Sequence, residues 1–338
     1  MYVESLKISG FTSFKDVRWE PERLNVLIGP NGSGKSNLLR ALELIRASAA
    51  GNLRDFVLSN GGLPRLLWGE SAQQMDFEIE TGIAPDGPPA GQPFYHFTLV
   101  PVPQSASFRV LSETLEGETV LQGDNALARN PAMALPETET ALSMVSPFWT
   151  DPMLYLSQQR LRAWTIYRDR RVDEHAEIRR PAVVREEKRI SPDGQNLISL
   201  LKTLYRGDFK DAIDHGMSAA FPDDFGKLLF RPTEPDRVQM YVRRRHGSRE
   251  DSAADLSDGT IRFLLLLAIL ATRTQVILST HSPQMLDAFG ETLPATTIFN
   301  WTGDHTELKT IGGNDLRKWV EEYSLGRFIF SGEAAAVL

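Results

Sequence analysis

Eight residues near the amino end constrain this chain more than any other part of it. Gly29-Pro30-Asn31-Gly32-Ser33-Gly34-Lys35-Ser36 matches the pattern G-x-x-x-x-G-K-[ST], in which glycines let backbone amides turn toward a phosphate. With glycine at an ordinary abundance of roughly 7%, a chance match in a chain of this length has odds of about one in a hundred. The flanks improve those odds. Leu24 to Ile28 (LNVLI) is a short apolar run rich in branched residues and predicts a buried strand. After the loop, Leu38, Leu39, Leu42, Leu44 and Ile45 fall on one face of a helix. Strand, glycine turn and helix N-terminus is the order an anion site requires, because the helix end adds its partial positive charge. Asn31, Gly32, Ser33 and Gly34 would line the cradle, Lys35 would reach the β and γ phosphates, and Ser36 would offer its hydroxyl to Mg²⁺. ATP or GTP is the ligand this pattern predicts.

Composition narrows the class of protein. At 338 residues the chain exceeds the size at which a single core usually stops growing, and 41% hydrophobic with 24% charged residues is globular usage. The longest apolar run, Phe263 to Ala271, is nine residues, about half of a membrane span. The start, MYVESLKISGF, lacks the charged and apolar regions of a signal peptide, so the expectation is a cytoplasmic protein with no membrane partner. Without cysteine there is no disulfide, zinc-thiolate or iron-sulfur chemistry. A net charge of -7 does not itself suggest nucleic acid, so such contact would need a local basic patch. Arg160 to Arg189 holds ten Lys/Arg and six Asp/Glu, and Arg243-Arg244-Arg245-His246 crowns an expected hairpin. Charge-rich stretches are more often solvated faces than DNA or RNA footprints.

Along the chain, Tyr2 to Ile8 and Val17 to Trp19 read as strands. Glycine and proline punctuate alternating segments at Met75 to Thr81, Phe94 to Val100 and Ser107 to Thr114, which predicts an antiparallel lobe. Residues 155–220 look mainly helical, with Leu197, Leu200, Leu201 and Leu204 as the clearest stripe. A hairpin near Val238 to Val242, a turn at Leu256 to Gly259, a helix over Thr260 to Leu270 and a strand over Gln275 to Ser279 follow; a further helix after His281 has Ser282 and Pro283 at its start. On their own, Leu256-Ser257-Asp258-Gly259-Thr260 reads as a helix cap and Thr280-His281-Ser282-Pro283 as a strand-to-helix turn.

In combination these motifs resemble the ABC-type ATPase heads of the SMC, RecF and OLD branch, and most nearly the small AAA-superfamily ATPases with an LSDGT signature. LKISGFTSFKDV leading into LNVLIGPNGSGKSNLLRAL, the LSDGT segment, THSP, DLRKWVEEYSLG and SPDGQNLISLLKTL carry the resemblance. It covers residues 1–45 and about 255–330 well and the middle weakly. The resemblance implies an α/β P-loop NTPase of ABC/SMC-head type: a mixed sheet with an antiparallel lobe and a helical lobe. Residues 1–154 would form the P-loop lobe with its antiparallel insertion, 155–225 the helical lobe, and 226–338 the signature and switch-histidine lobe of the same ATPase domain. It further implies ATP with Mg²⁺, an ATP-dependent homodimer in which Ser257 and Gly259 face the partner's nucleotide, and His281 as the catalytic switch histidine. A DNA or effector-protein partner, and a role in DNA maintenance or defence against phage, come from the resemblance alone.

One element of that pattern is missing. Such heads place a Walker B strand, ending in an Asp for Mg²⁺ and a Glu that activates water, between signature and switch. Ser257 and His281 are only 24 positions apart, whereas a strand with its crossover needs a dozen or more further residues. Leu264 to Leu278 contains neither Asp nor Glu, and Asp258 and Asp287 are poor substitutes. Gln158, Gln159 and Gln195 are weak candidates for the glutamine loop. The expectation is nucleotide binding with weakened hydrolysis; a fully active ATPase of the same family and a P-loop small-molecule kinase are the rivals.

Overall fold

The computed structural model describes residues 2–69, 71–82, 94–103, 107–115, 118–122, 136–145, 152–167, 171–272, 275–279, 293–313 and 315–316. The amino end forms β1 (Tyr2–Phe11), β2 (Phe14–Trp19) and β3 (Leu24–Ile28), followed by α1 (Lys35–Ala50), α2 (Leu53–Ser59) and α3 (Leu63–Leu66). Helix α1 begins at the left-handed Gly34 and ends at the left-handed Gly51, whose amide bonds Ala47 O. Between these ends it buries Leu38, Ala41, Leu42, Leu44 and Ile45, each large side chain contributing roughly 1.5–3 kcal/mol of apolar burial.

Strands β4 (Met75–Gly82), β5 (Phe94–Pro101), β6 (Phe108–Leu115) and β7 (Glu118–Gln122) extend an all-antiparallel sheet in the order β2-β1-β4-β5-β6-β7. Its core face alternates as the sequence pattern requires, with Phe11, Phe77, Phe97 and Tyr95 in a row of ring contacts 5.1–5.3 Å apart. One extra residue in β6, where Thr98 faces Ser112 but Leu99 faces Val110, reverses the alternation and turns Glu113 into this core. There Glu113 accepts bonds from the amides of Ala141 and Leu142 at a short 3-10 turn, Ala141–Met144, while Thr140 Oγ1 donates to Ser48 O on α1.

The next stretch departs from expectation. After α4 (Pro152–Arg162) the described residues up to 196 are largely irregular, apart from a 3-10 turn at Glu177–Arg179 and the two-residue strand β8 (Ala182–Val183). Pro181 and Pro192 interrupt this charged segment and no apolar stripe at helical spacing supports a longer helix. The amphipathic α5 (Leu197–Arg206) does bury Leu197, Leu200, Leu201 and Leu204, and α6 (Lys210–Ala220) follows it. Strands β9 (Phe225–Glu234), β10 (Arg237–Arg244) and β11 (Glu250–Ser252) form a small antiparallel sheet with β8, and α7 (Asp258–Thr272) packs with α5 and α6. Helix α7 starts two residues earlier than the sequence pattern suggested, so Gly259 lies inside its first turn.

Strands β12 (Val276–Ser279), β13 (Ala295–Trp301) and β14 (Thr306–Ile311) return to the amino end. They build a second sheet, β12-β3-β13-β14, in which β3 is parallel to both its neighbours. Three residues separate α7 from β12, so no strand and crossover lie between them, and among the described residues β12 pairs only with β3. Two long side chains tie the sheets together: Trp19 Nε1 donates to Thr297 Oγ1 at 2.9 Å, and the Gln275 amide pairs with both backbone groups of Val3. The buried side chains divide into one core over residues 3–161 with Phe299 and another over 172–268.

Candidate functional site

The glycine loop leaves the carboxyl end of β3, a central strand of its sheet, and runs into α1. Ligands of open α/β sheets gather at this edge. Asn31, Gly32 and Ser36 are exposed, whereas Ser33, Gly34 and Lys35 are buried. The Lys35 ammonium donates to Gly29 O and Pro30 O, both at 2.7 Å, and burial lowers its pKa below the usual lysine value. The amides of Gly32 and Gly34 donate to no group among the described residues. Ser33 Oγ is buried without a hydrogen-bond partner among the described residues. A cation, open amides and an orphaned hydroxyl within one loop suit a polyanion: they gather hydrogen-bond donors and positive charge at one place, and among the described residues no acidic group neutralises it. The donor set therefore fits a nucleotide phosphate chain, and the exposed Ser36 hydroxyl in the first helical turn is open to a hard cation such as Mg²⁺.

Two groups that sequence reasoning missed support the loop from below. Thr306, fully buried at the start of β14, places its hydroxyl 2.9 Å from Ser33 O and 2.7 Å from Ser13 Oγ. Asn37 Nδ2 donates to Ser13 Oγ at 2.9 Å. These partners lie up to 293 positions apart, so no local pattern announces them.

Ser257 and Gly259 stand elsewhere, at the exposed N-terminus of α7, and no hydrogen bond among the described residues joins them to the glycine loop. Ser257 Oγ accepts the Thr260 amide at 3.1 Å, so the capping role expected from the sequence is present. Among the described residues a Cβ on Gly259 would meet only Ser257 Oγ at 3.7 Å, an ordinary contact, and none of them demands glycine there. The loop before the helix is held by Arg179, 3% exposed, which donates to Val172 O, Ala253 O, Ala254 O, Leu256 O and an Asp258 carboxylate oxygen. Asp258 is thereby engaged by a guanidinium. His281 and Asp287 lie outside the described residues.

Among the described residues no hydrogen bond joins the three glutamines to the loop. Gln158 is buried on Leu142 O and Ser143 O, Gln159 donates to Gln158, and Gln195 donates to Asp193 O. The basic crown is likewise committed: Arg243 pairs with Glu250, and Arg244 with Asp224 and Asp251. Arg171 and Arg180 pair with Asp173 and Glu177 in the same way. Among the described residues, no helix is long and apolar enough to cross a membrane.

Comparison with known proteins agrees with this geometry. Residues 24–86, which include the loop and α1, match the family described as "AAA domain, putative AbiEii toxin, Type IV TA system". The chromosome partition protein Smc of Coxiella burnetii is 35% identical over 89 residues, 24% of this chain and 8% of that protein. The DNA replication and repair protein RecF of Idiomarina loihiensis is 36% identical over 61 residues, 17% of each chain. The chain thus spans less than a fifth of either relative's length. In fold, it is similar to the Smc head crystallised with the C-winged helix domain of ScpA, with a TM-score of 0.51 at 12% identity over 94% of this chain and 100% of that one. Sequence matches confined to part of the chain, together with the shared fold, support a likeness to the P-loop ATPase heads of ABC, SMC and RecF type.

Proposed function

We propose that the chain is an ATP-binding head that dimerises around two nucleotides, hydrolyses them slowly and passes the closure on to a partner. The observation that carries this reading is the glycine loop itself, with its open amides, orphaned Ser33 hydroxyl and buried Lys35. Asn31, Gly32, Ser33 and Gly34 would cradle the phosphates, Lys35 would exchange its two carbonyls for phosphate oxygens, and Ser36 would hold Mg²⁺. Bound Mg²⁺ would neutralise charge on the β and γ phosphates. Ser257 and Gly259 would approach the nucleotide of a second copy, which accounts for an exposed glycine with free space around it. His281 would sense the terminal phosphate. Slow hydrolysis follows from the three-residue link between α7 and β12 and from Asp258 being tied to Arg179, since water positioning and charge stabilisation supply most of the rate in phosphoryl transfer.

A partner protein is supported by the Smc head of like fold, which was crystallised with a domain of ScpA. A setting in DNA maintenance or in defence against phage rests on the Smc, RecF and toxin-family matches. The ion-paired arginines of the β10 to β11 turn make a partner protein the better supported choice over DNA at that surface. The test is one purified sample measured for nucleotide binding, phosphate release and mass in solution. Wild type should bind ATP with Mg²⁺, Lys35→Ala should not, and Ser257→Arg should bind ATP yet remain monomeric. Absence of binding at millimolar ATP would refute the reading, and monomers persisting in saturating ATP would refute its shared site.

A further inference from the structure

Beneath the glycine loop the Thr306 hydroxyl reaches two acceptors, Ser33 O at 2.9 Å and Ser13 Oγ at 2.7 Å, and Asn37 Nδ2 donates to the same Ser13 Oγ. A hydroxyl carries one proton, and a carbonyl oxygen can only accept. Because Asn37 already supplies a donor to Ser13 Oγ, the Thr306 proton can serve Ser33 O. The Thr306 amide also donates to Ser13 O at 2.7 Å, so backbone and side chain hold the residue in one place. The carbonyl it holds belongs to the Ser33-Gly34 peptide, and this bond is trans. In a trans peptide the N–H points opposite to the C=O. Drawing Ser33 O down toward Thr306 therefore turns the Gly34 amide up, away from the sheet and toward the cradle, where it donates to no group among the described residues. The fit is close: Gly34 has φ 108, and a Cβ on it would collide with Thr306 Oγ1 and lie 2.9 Å from Ser13 Oγ. The glycine is required by what lies beneath it as well as by its own backbone angle.

We propose that Thr306 is a positioning residue for phosphate binding: through Ser33 O it aims the Gly34 amide at the bound anion. This rests on the nucleotide-binding reading above, and the experiment separates the two. ATP affinity is measured with Mg²⁺ for wild type, Thr306→Val, Thr306→Ser and Lys35→Ala. In parallel, hydrogen exchange is followed without nucleotide at the Ser33 and Asn37 amides, which bond Pro30 O and Gly34 O. Valine keeps the shape and removes the hydroxyl, so ATP affinity should fall about tenfold and exchange at both amides should quicken about tenfold, with little change elsewhere in the chain. Serine should restore both. Thr306→Val with wild-type affinity and wild-type exchange overturns the proposal, and so does a loss that serine fails to rescue. If wild type binds no ATP, the nucleotide reading fails while the exchange result still decides whether Thr306 orders the loop. If Thr306→Val does not fold, Thr306→Ala carries the test: it should weaken ATP binding about tenfold and quicken the same two amides, and unchanged values overturn the proposal.

Discussion

Replacing Glu113 by glutamine should change the pH dependence of stability in a defined direction. This carboxyl sits in the antiparallel core, and burial pushes it up from 4.5 to about 7 against the lowering pull of the Leu142 and Ala141 amides. Between those two values the folded protein holds a proton that the unfolded chain has released. Stability from this group is therefore full below pH 4.5 and declines as pH rises toward 7. At about 1.4 kcal/mol per pH unit, the interval from 4.5 to about 7 amounts to about 3 kcal/mol. Glutamine does not titrate there. Urea unfolding of wild type and Glu113→Gln at pH 5, 6, 7 and 8 isolates the effect, because every other titrating group cancels in the difference. The variant should gain on wild type by about 3 kcal/mol from the acidic to the alkaline end, most of it before pH 7.5. A difference that stays flat across the range would refute the reasoning and place the carboxyl in its ordinary ionised state, held by the two amides.

Two further substitutions test the signature region. Arg179→Met keeps comparable bulk but strands the buried carbonyls of Val172, Ala253 and Leu256, and should cost about 3 kcal/mol in urea unfolding; a loss below about 1 kcal/mol would show that the clamp is dispensable. Ser257→Ala removes the acceptor of the Thr260 amide and should destabilise by about 1 kcal/mol in the same assay, while unchanged stability would mean that water replaces the cap without loss.

What could be read from sequence was local. The phosphate loop, α1 and β3 announce themselves within 27 consecutive residues, Leu24 to Ala50, through glycines, one lysine and a helical stripe. The α5 stripe and the β4 alternation were equally direct, because each element writes its buried face into its own spacing, whereas the bulge in β6 reverses its alternation. Long-range chemistry was hidden. Thr306 and Ser13 look like ordinary hydroxyl residues at a turn and a strand start, and only the pairing of β14 near β2 brings them under the loop. Arg179 sat in a charge-rich tract whose commonest fate is a solvated face, yet it is buried because a loop 74–79 positions away presents it with carbonyls. The arginines at the β10 to β11 turn, read from sequence as more often a solvated face than a nucleic-acid footprint, pair with Glu250 and Asp251 on the neighbouring strand. The longer helical stretch expected before α5 failed for a simpler reason, since apolar residues there are too sparse and the prolines too frequent.

The placement of β3 sets an order on assembly. It is the second strand of a sheet whose two flanking partners begin at Val276 and Ala295, roughly 250 positions downstream. During synthesis the amino-terminal antiparallel sheet and α1 can associate early, but β3 stays without lateral partners and Ser33 O without its hydroxyl donor until the last third of the chain has left the ribosome. Contacts of such sequence separation form slowly, because a long loop must close before they bring any gain. A nascent or shortened polypeptide ending before Thr306 would therefore carry every letter of the nucleotide motif and still lack the scaffold that shapes it.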